Sequence, residues 1–397
     1  MTAQTRRIAI NSGGGYVPGL NAVVTGAVLA ASGLGWEVVG IRDGYDGLLL
    51  RDNYPDGGLI KLDSRIAEEL AGTGGSILGT GAHADPFRIR TITADNAVTE
   101  VDRSDELMSA IQSEKIDAVI SIVGGSAITG SHALSIAFKL HRKGLPTVCI
   151  PKSIENDIAA TALSFGFNSA LSFTVETLER IRTAARDIRR LAVVEVPGHH
   201  AGWLALQAGM AVCADAVLIP EIPYDLKKVA AKLRDVEKAA RRGALVVVAE
   251  GARATAPEER PSGQASDKAH SGLRASLSPL SDPLYGEGDR VIERSGRAAE
   301  TVALKLQRLT DMETFPLVIG QLARGGAPTA VDRQLGLSYG ASAVRALKAG
   351  RDGVMVAFQP PDLKFVPLVG ALNKVRTVPV DSEFVHIARA LGVSLGD

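Results

Sequence analysis

Short apolar runs punctuate the chain, each closed by a glycine or proline turn and followed by a stretch with helical periodicity. They read RRIAIN, WEVVGI, DAVISIVGG, LPTVCIPK, LAVVEVPG, AVLIPE, ALVVVAEG and FPLVIGQ. Because the runs are continuous rather than alternating, they fit parallel strands covered on both faces by helices. The pattern predicts an α/β protein with doubly wound, mainly parallel sheets. The best-marked helix spans Phe167 to Arg190: Leu171, Val175, Leu178, Ile181 and Ile188 recur at helical spacing, and arginines gather near its end, where they suit the helix dipole. The stretch Ala252 to Arg294 breaks the rhythm. It is dense in Ser, Pro, Gly and mixed charge, so 252–294 is predicted to be a mobile loop or insertion.

Length adds a second lobe to this picture, since 397 residues exceed one ordinary compact core and predict about two domains. Charge removes two partner classes. Lys plus Arg and Asp plus Glu balance at 44 each, which gives no global attraction to nucleic acid or an anionic membrane surface. No apolar run approaches the roughly 18 residues of a membrane span, and MTAQTRR leads into the first strand without an apolar signal region. A cytoplasmic location is expected. Cys149 and Cys213 each sit in an apolar run, far apart in sequence, and are expected to be reduced core residues rather than a disulfide.

Ligands of open α/β sheets bind beyond the carboxyl ends of strands, so the residues after each run are the candidate chemistry. The first run opens SGGGYVPGLN at 12–21, whose clustered backbone N–H groups and helix start suit phosphate. DAVISIV opens a second such turn, GGSAITGS. PTVCI runs into PKSIENDI, placing Lys152, Ser153, Glu155, Asn156 and Asp157 within six residues. Two acids and a lysine there supply the base and counter-charge that phosphoryl transfer needs. LAVVEV leads to PGHHAGW, where the adjacent His199 and His200 are expected to diverge, making a poor metal pair but one imidazole suited to an anionic substrate. Glu250 ends ALVVVA, and Arg324 stands in a Gly-flanked turn where a guanidinium can clamp phosphate. Arg189 and Arg190 serve equally as a solvated helix end or as site residues. A dinucleotide oxidoreductase is poorly supported, because SGGGYVPGLN lacks GxGxxG spacing.

In this order the stretches resemble the phosphofructokinase A family over nearly the whole chain. The similarity runs from SGGGYVPGLN through DGYDGLLL, GGSILGTGAHADPFRIR, PKSIENDI, GFNSALSFTVETLERIR, RLAVVEVPGHHAGWLAL and ARGGAPTAVDRQLG to VPLVGALNKVRTVPVD. PKSIENDI and RLAVVEVPGHHAGW are the most specific of these. The resemblance implies transfer of a phosphoryl group from ATP or pyrophosphate, with Mg2+, to the 1-hydroxyl of fructose 6-phosphate or a related sugar phosphate. It places Gly13, Gly14, Tyr45, Gly124, Gly125, Ser126 and Ala127 near the donor. Lys152, Ser153, Glu155, Asp157 and His199 fall at the reacting groups, and Gly198, Glu250, Gln321 and Arg324 at the acceptor. Arg190 would reach the acceptor phosphate from a neighbouring subunit, so a homodimer or homotetramer with shared sites is implied. The donor lobe is expected to comprise 1–165 with a returning segment near 323–365, and the acceptor lobe 166–322 with the tail 366–397.

Several positions depart from the family pattern. Ser126 replaces an aspartate associated with magnesium, so no metal-ligating residue is assigned. Glu155 stands where the catalytic acid is Asp, His199 replaces an arginine that steadies transition-state charge, and Pro197 replaces methionine. Phe315 takes the place of a phosphate-binding arginine, Gln321 and Ala323 replace His and Gln, and Ala82 replaces a further arginine. Losing a charged transition-state donor costs about 3 kcal/mol, roughly a hundredfold in rate. Two readings follow: a kinase in which His199, Lys152 or a relocated acid compensates, or a catalytically impaired regulatory or ligand-sensing paralogue. Ala127 leaves room for ATP while Lys152 is typical of pyrophosphate users, and the balance leans to ATP.

Overall fold

A computed structural model describes residues 6–81, 85–92, 98–124, 133–240, 242–255 and 296–397. Seven strands form one sheet in the order β13 (Asp362–Pro367), β12 (Val354–Gln359), β7 (Thr147–Pro151), β6 (Ala118–Val123), β1 (Arg7–Gly13), β2 (Glu37–Ile41) and β3 (Leu59–Leu62). Four strands form another, in the order β11 (Thr314–Val318), β8 (Leu191–Val196), β10 (Ala244–Ala249) and β9 (Ala216–Leu218). A small hairpin pairs β4 (Ile89–Ile92) with β5 (Val98–Val101). Every pairing in the four-stranded sheet is parallel, and the seven-stranded sheet is antiparallel only at its two ends. The mainly parallel α/β architecture read from the apolar runs is therefore present. β6, β7, β8 and β10 are buried along their whole length, which is why they lack alternation, and each buried Val or Ile contributes about 1.5–3 kcal/mol.

The structure corrects several local expectations. FPLVIGQ forms an edge strand, not a covered one: Pro316, Leu317 and Val318 of β11 are exposed because only β8 pairs with it. Proline is tolerated there because an edge strand has one side without a ladder to serve. The helix predicted to reach Arg190 ends at Asp187, and Arg189 turns left-handed at φ 53, so Arg190 belongs to the entry of β8. Cys149 is buried as expected, whereas Cys213 is exposed, because the apolar run around it is split by the turn after the helix Trp203–Ala211. Both thiols are free. Of the predicted insertion, residues 252–255 are anchored: Tyr224 N donates to Arg253 O at 3.0 Å, and Thr255 N donates to Tyr224 O at 2.9 Å. The remainder, 256–294, lies outside the described residues.

Distant carboxylates cap several helices whose own starts carry glycine. Gly166 precedes the helix Phe167–Asp187, and Asp332 accepts from both Ser169 N and Ser169 Oγ at 2.6 Å. Glu221 accepts from Gly202 N at 3.0 Å ahead of Trp203–Ala211. Glu195 accepts from Gly296 N at 2.6 Å and Ala299 N at 3.0 Å at the start of Arg297–Thr310. Each satisfies orphan amides and sets a negative charge at the positive end of a helix.

The helices Leu20–Ser32 and Ala330–Lys348 cross with backbones in near contact. A Cβ on Gly340 would lie 2.1 Å from Val23 O, and one on Gly26 would lie 2.1 Å from Leu337 O. Alanine there gains about 1 kcal/mol of helix propensity but collides with main chain, which cannot rotate away, and overpacking costs about 1–3 kcal/mol or more. Gly340→Ala should therefore lower stability by about 2 kcal/mol, read as a reduced urea midpoint at unchanged slope. An unchanged or raised midpoint would contradict the packing described.

Candidate active site

The glycine turn after β1 is shaped by close main-chain contacts. Gly14 sits at φ 83, and a Cβ on it would lie 2.6 Å from Gly124 O, at the end of β6. A Cβ on Gly13 would meet Ala133 Cβ at 2.6 Å, and one on Gly124 would meet Lys152 Cγ at 2.7 Å. Gly81 ties the turn down, accepting from Gly14 N and donating to Ser12 O, both at 3.0 Å. Lys152 leaves the end of β7 fully buried, and its Nζ donates to Ser12 Oγ at 3.0 Å and Gly14 O at 3.2 Å. Burial, and then the nearby Arg324, lower its pKa to about 7. The ammonium thus supports the glycine turn from beneath, a role the sequence does not display.

The acidic loop folds around its own serine. Ser153 Oγ donates to Asp157 Oδ1 at 2.6 Å and accepts from Glu155 N at 3.0 Å. Asn156 adopts φ 55, held by Ser164 N donating to its Oδ1 at 2.9 Å. Glu155 reaches the other sheet: His199 N donates to Glu155 Oε2 at 3.1 Å. Burial first, then Asp157 and Glu250, push the Glu155 pKa up to about 8, against opposing pulls from Arg324 and the His199 amide. The acid loop, Glu250 and Arg324 therefore share one electrostatic neighbourhood where the two sheets meet.

The second sheet completes that neighbourhood from its own strand ends. Gly198 sits at φ 153 and its carbonyl accepts from Gly251 N at 3.1 Å, while Glu250 N donates to Val196 O at 3.1 Å, placing Glu250 beside the His199 turn. Arg324 ends the short helical turn Gly320–Arg324 and donates from Nη1 to Tyr16 O at 3.2 Å. Gly15 makes room for it, since a Cβ there would lie 3.1 Å from Arg324 Nη1. Gln321 is exposed on the same turn. The rings of His199 and His200 do not diverge as expected: they pack edge to face with centroids 4.3 Å apart. Among the described residues no group of three or more His, Cys, Asp or Glu could hold a metal ion.

Other candidates lie apart. Arg190 stands at the opposite end of β8 from His199, paired with Glu313 at 2.6 Å. At about 3.3 Å per strand residue that is roughly 20 Å from the cleft of its own chain. Tyr45 is buried in the apolar cluster with Ala9, Val39 and Ile41. Phe315 is half-buried against the main core. Gly125, Ser126, Ala127 and Ala82 lie outside the described residues. Sequence reasoning missed Ser12, Gly15, Tyr16 and Gly81, which hold the turn and Arg324. Their only signals were the glycine run, which holds Ser12, Gly15 and Tyr16, and GGSILGTGAHADPFRIR, which holds Gly81.

Comparisons place this geometry among known proteins. The family model for phosphofructokinase matches residues 7–347. A protein of Chloroflexus aurantiacus named ATP-dependent 6-phosphofructokinase is 36% identical over 399 residues, covering 100% of this chain and 99% of the relative. ATP-dependent 6-phosphofructokinase 2 of Clostridium perfringens is 32% identical, covering 100% of both chains. Among solved structures, the phosphofructokinase of Saccharomyces cerevisiae superposes with a TM-score of 0.68 at 24% identity, over 98% of this chain and 47% of that one. This chain thus spans about half the yeast chain. A pyrophosphate-dependent phosphofructokinase from Marinobacter aquaeolei gives 0.71 at 18% identity, over 98% and 88% of the two chains. Both structures share the fold. With a glycine turn, an acidic loop and an arginine meeting between two parallel sheets, and with the family match spanning most of its length, this chain belongs to the phosphofructokinase family.

Proposed function

We propose that this chain is an ATP-dependent 6-phosphofructokinase, transferring the terminal phosphoryl group of ATP to the 1-hydroxyl of fructose 6-phosphate. The observation that carries the reading is convergence: Lys152 holds the glycine turn from beneath, Arg324 holds Tyr16 O in the same turn, and Glu155 reaches the His199 amide of the other sheet, with Asp157, Glu250 and Arg324 close enough to act on its charge. ATP is favoured over pyrophosphate as donor because full-length relatives at 32–36% identity carry that name. In this reading Gly13, Gly14 and Gly124, having no side chains, let the donor phosphates approach the backbone closely, and Lys152 fixes their turn. Glu155 accepts the proton of the attacking hydroxyl, with the Ser153 and Asp157 pair beside it. Gly198 and Glu250 hold the sugar, and Arg324 meets its phosphate. Residues 1–165 with the returning strands would form the donor lobe, and 166–322 with the tail the acceptor lobe.

Magnesium fits this cleft as an ion shared with the donor, since one or two carboxylates suffice when phosphates complete its shell. Asp157 is the carboxylate that would hold it, and the ion would neutralise charge on the transferring group. Arg190, 43% exposed and about 20 Å from its own cleft, suits a role in a neighbouring subunit of a dimer or tetramer. Phe315 leaves that grip to Arg190 and Arg324. No helix among the described residues is long and apolar enough to cross a membrane, and a cytoplasmic setting suits the substrates. The direct test is purified protein with fructose 6-phosphate, magnesium and either donor. Formation of ADP and a sugar bisphosphate with ATP supports the reading, and turnover with pyrophosphate alone or with neither donor rejects it.

Two outcomes follow from the charges. Glu155 can accept a proton only when ionised, so kcat/KM for fructose 6-phosphate should climb with pH toward a plateau above about 8. Glu155→Gln should erase that limb and lower kcat about 100-fold to 10,000-fold. A wild-type profile flat between pH 6 and 8 would sink the assignment.

The same carboxyl strains the fold. Its folded pKa lies above the usual 4.5, so ionisation is resisted in the native state. The penalty begins as pH rises past 4.5 and is complete above about 8. Glu155→Gln should consequently raise Tm at pH 8.5 and leave it little changed at pH 4, as read by thermal unfolding. A loss of Tm at pH 8.5 would contradict the crowding.

A further inference from the structure

The acid loop has a second anchor outside both sheets. Near the end of the chain, Arg376 N donates to Asp157 O at 2.8 Å, and Arg376 Nη1 donates to Asn156 O at 3.2 Å. Beside them, Ile158 and Val375 form an antiparallel bridge. The guanidinium lies 4.1 Å from the centroid of the Trp203 ring, and Trp203 Nε1 donates to Arg376 O at 2.9 Å. Trp203 opens the helix that follows the His199 turn, and it is buried. Two residues on, Val378 N donates to Glu221 Oε1 at 2.7 Å, the same carboxylate that caps Gly202 N. One segment of tail therefore grips the loop after β7 and the helix start after β8 together.

Those two elements meet at Glu155. Its loop belongs to the seven-stranded sheet, and the amide that holds its carboxylate, His199 N, belongs to the other. Asn156, next to Glu155, is left-handed at φ 55, a conformation that persists in a non-glycine residue only where the surroundings enforce it. Ser164 enforces it from one side and Arg376 from the other. Both arginine contacts to the loop are to main-chain oxygens, so what Arg376 holds is backbone position. Burial lowers its own pKa, yet a guanidinium keeps its charge in proteins. The guanidinium lies over the indole while its Nη1 donates to Asn156 O, a combination that the single ammonium of lysine matches poorly.

We propose that Arg376 is a positioning residue of the phosphoryl-transfer site, clamping the Asn156–Asp157 backbone to Trp203 and so aiming Glu155. The inference rests on the proposed kinase reading for its catalytic readout. Displacing a catalytic group by about 1 Å costs roughly a hundredfold in rate. Arg376→Met should therefore lower kcat about 100-fold while the KM values for ATP and fructose 6-phosphate stay within about threefold. Arg376→Lys, which keeps one donor and the charge but loses the planar stack, should fall between.

Amide exchange supplies a readout independent of turnover. In Arg376→Met the His199 amide should lose protection as Glu155 drifts, while the amides of β1 and β10 keep theirs. Wild-type kcat in the methionine variant, or a loss confined to KM, overturns the proposal. So does unchanged protection of the His199 amide. If wild-type protein turns over neither donor, the kinase reading fails by itself, and exchange at His199 alone then decides whether Arg376 positions the loop.

Discussion

Carboxylates crowded into a poorly solvated cleft set the terms for the rest of this molecule. Asp157 and Glu250 both disfavour a charge on Glu155, and Arg324, itself near Lys152, opposes them. Such a cluster is tolerable only if the surroundings hold each group where attraction exceeds repulsion. Here the holding is done by main chain. Lys152 donates to Gly14 O, Arg324 to Tyr16 O, and Glu155 accepts from His199 N. Burial that raises the proton affinity of Glu155 also makes its ionised form costly to the fold, so both effects have one origin.

That arrangement also reframes the departures from the family pattern. A glutamate in place of aspartate carries its carboxylate farther from its own backbone, and here the extra length spans to the second sheet, where the His199 amide receives it. The contact residue 199 makes to Glu155 is through its backbone amide and does not depend on the side chain there. Phe315 gives up a guanidinium but packs on the core, and the neighbouring Glu313 pairs with Arg190 at the edge of the smaller sheet. The impaired-paralogue alternative rested above all on Ser126, which lies outside the described residues, and nothing in the comparisons with relatives favours it.

Tertiary carboxylates recur as organisers beyond the cleft. Asp332, Glu221 and Glu195 each stand at the start of a helix far from themselves in sequence, and Glu221 also takes the amide of Val378 beside the Arg376 clamp. Glycine at these helix starts leaves the backbone open to such visitors. The result is a scaffold whose helix ends, acid loop and tail are linked through a few shared acceptors.

What the chain's own order of residues determined was the class of fold and the places where chemistry gathers. Covered parallel strands must be apolar on both faces, so β6, β7, β8 and β10 are visible as unbroken runs, and their carboxyl ends are where loops can carry function. The glycine turn, PKSIENDI, Glu250 and Arg324 were legible for that reason. Exposure was not legible: FPLVIGQ and the run around Cys213 are as apolar as core segments, and only the position of an edge or a turn brings them to the surface. Nor could local sequence show Lys152 beneath the glycine turn, glycine-started helices capped by Asp332, Glu221 and Glu195, or Arg376 reaching Asn156 from 220 positions away. Those contacts join residues that share no period and no motif, so they exist only once the two sheets and the tail are packed together.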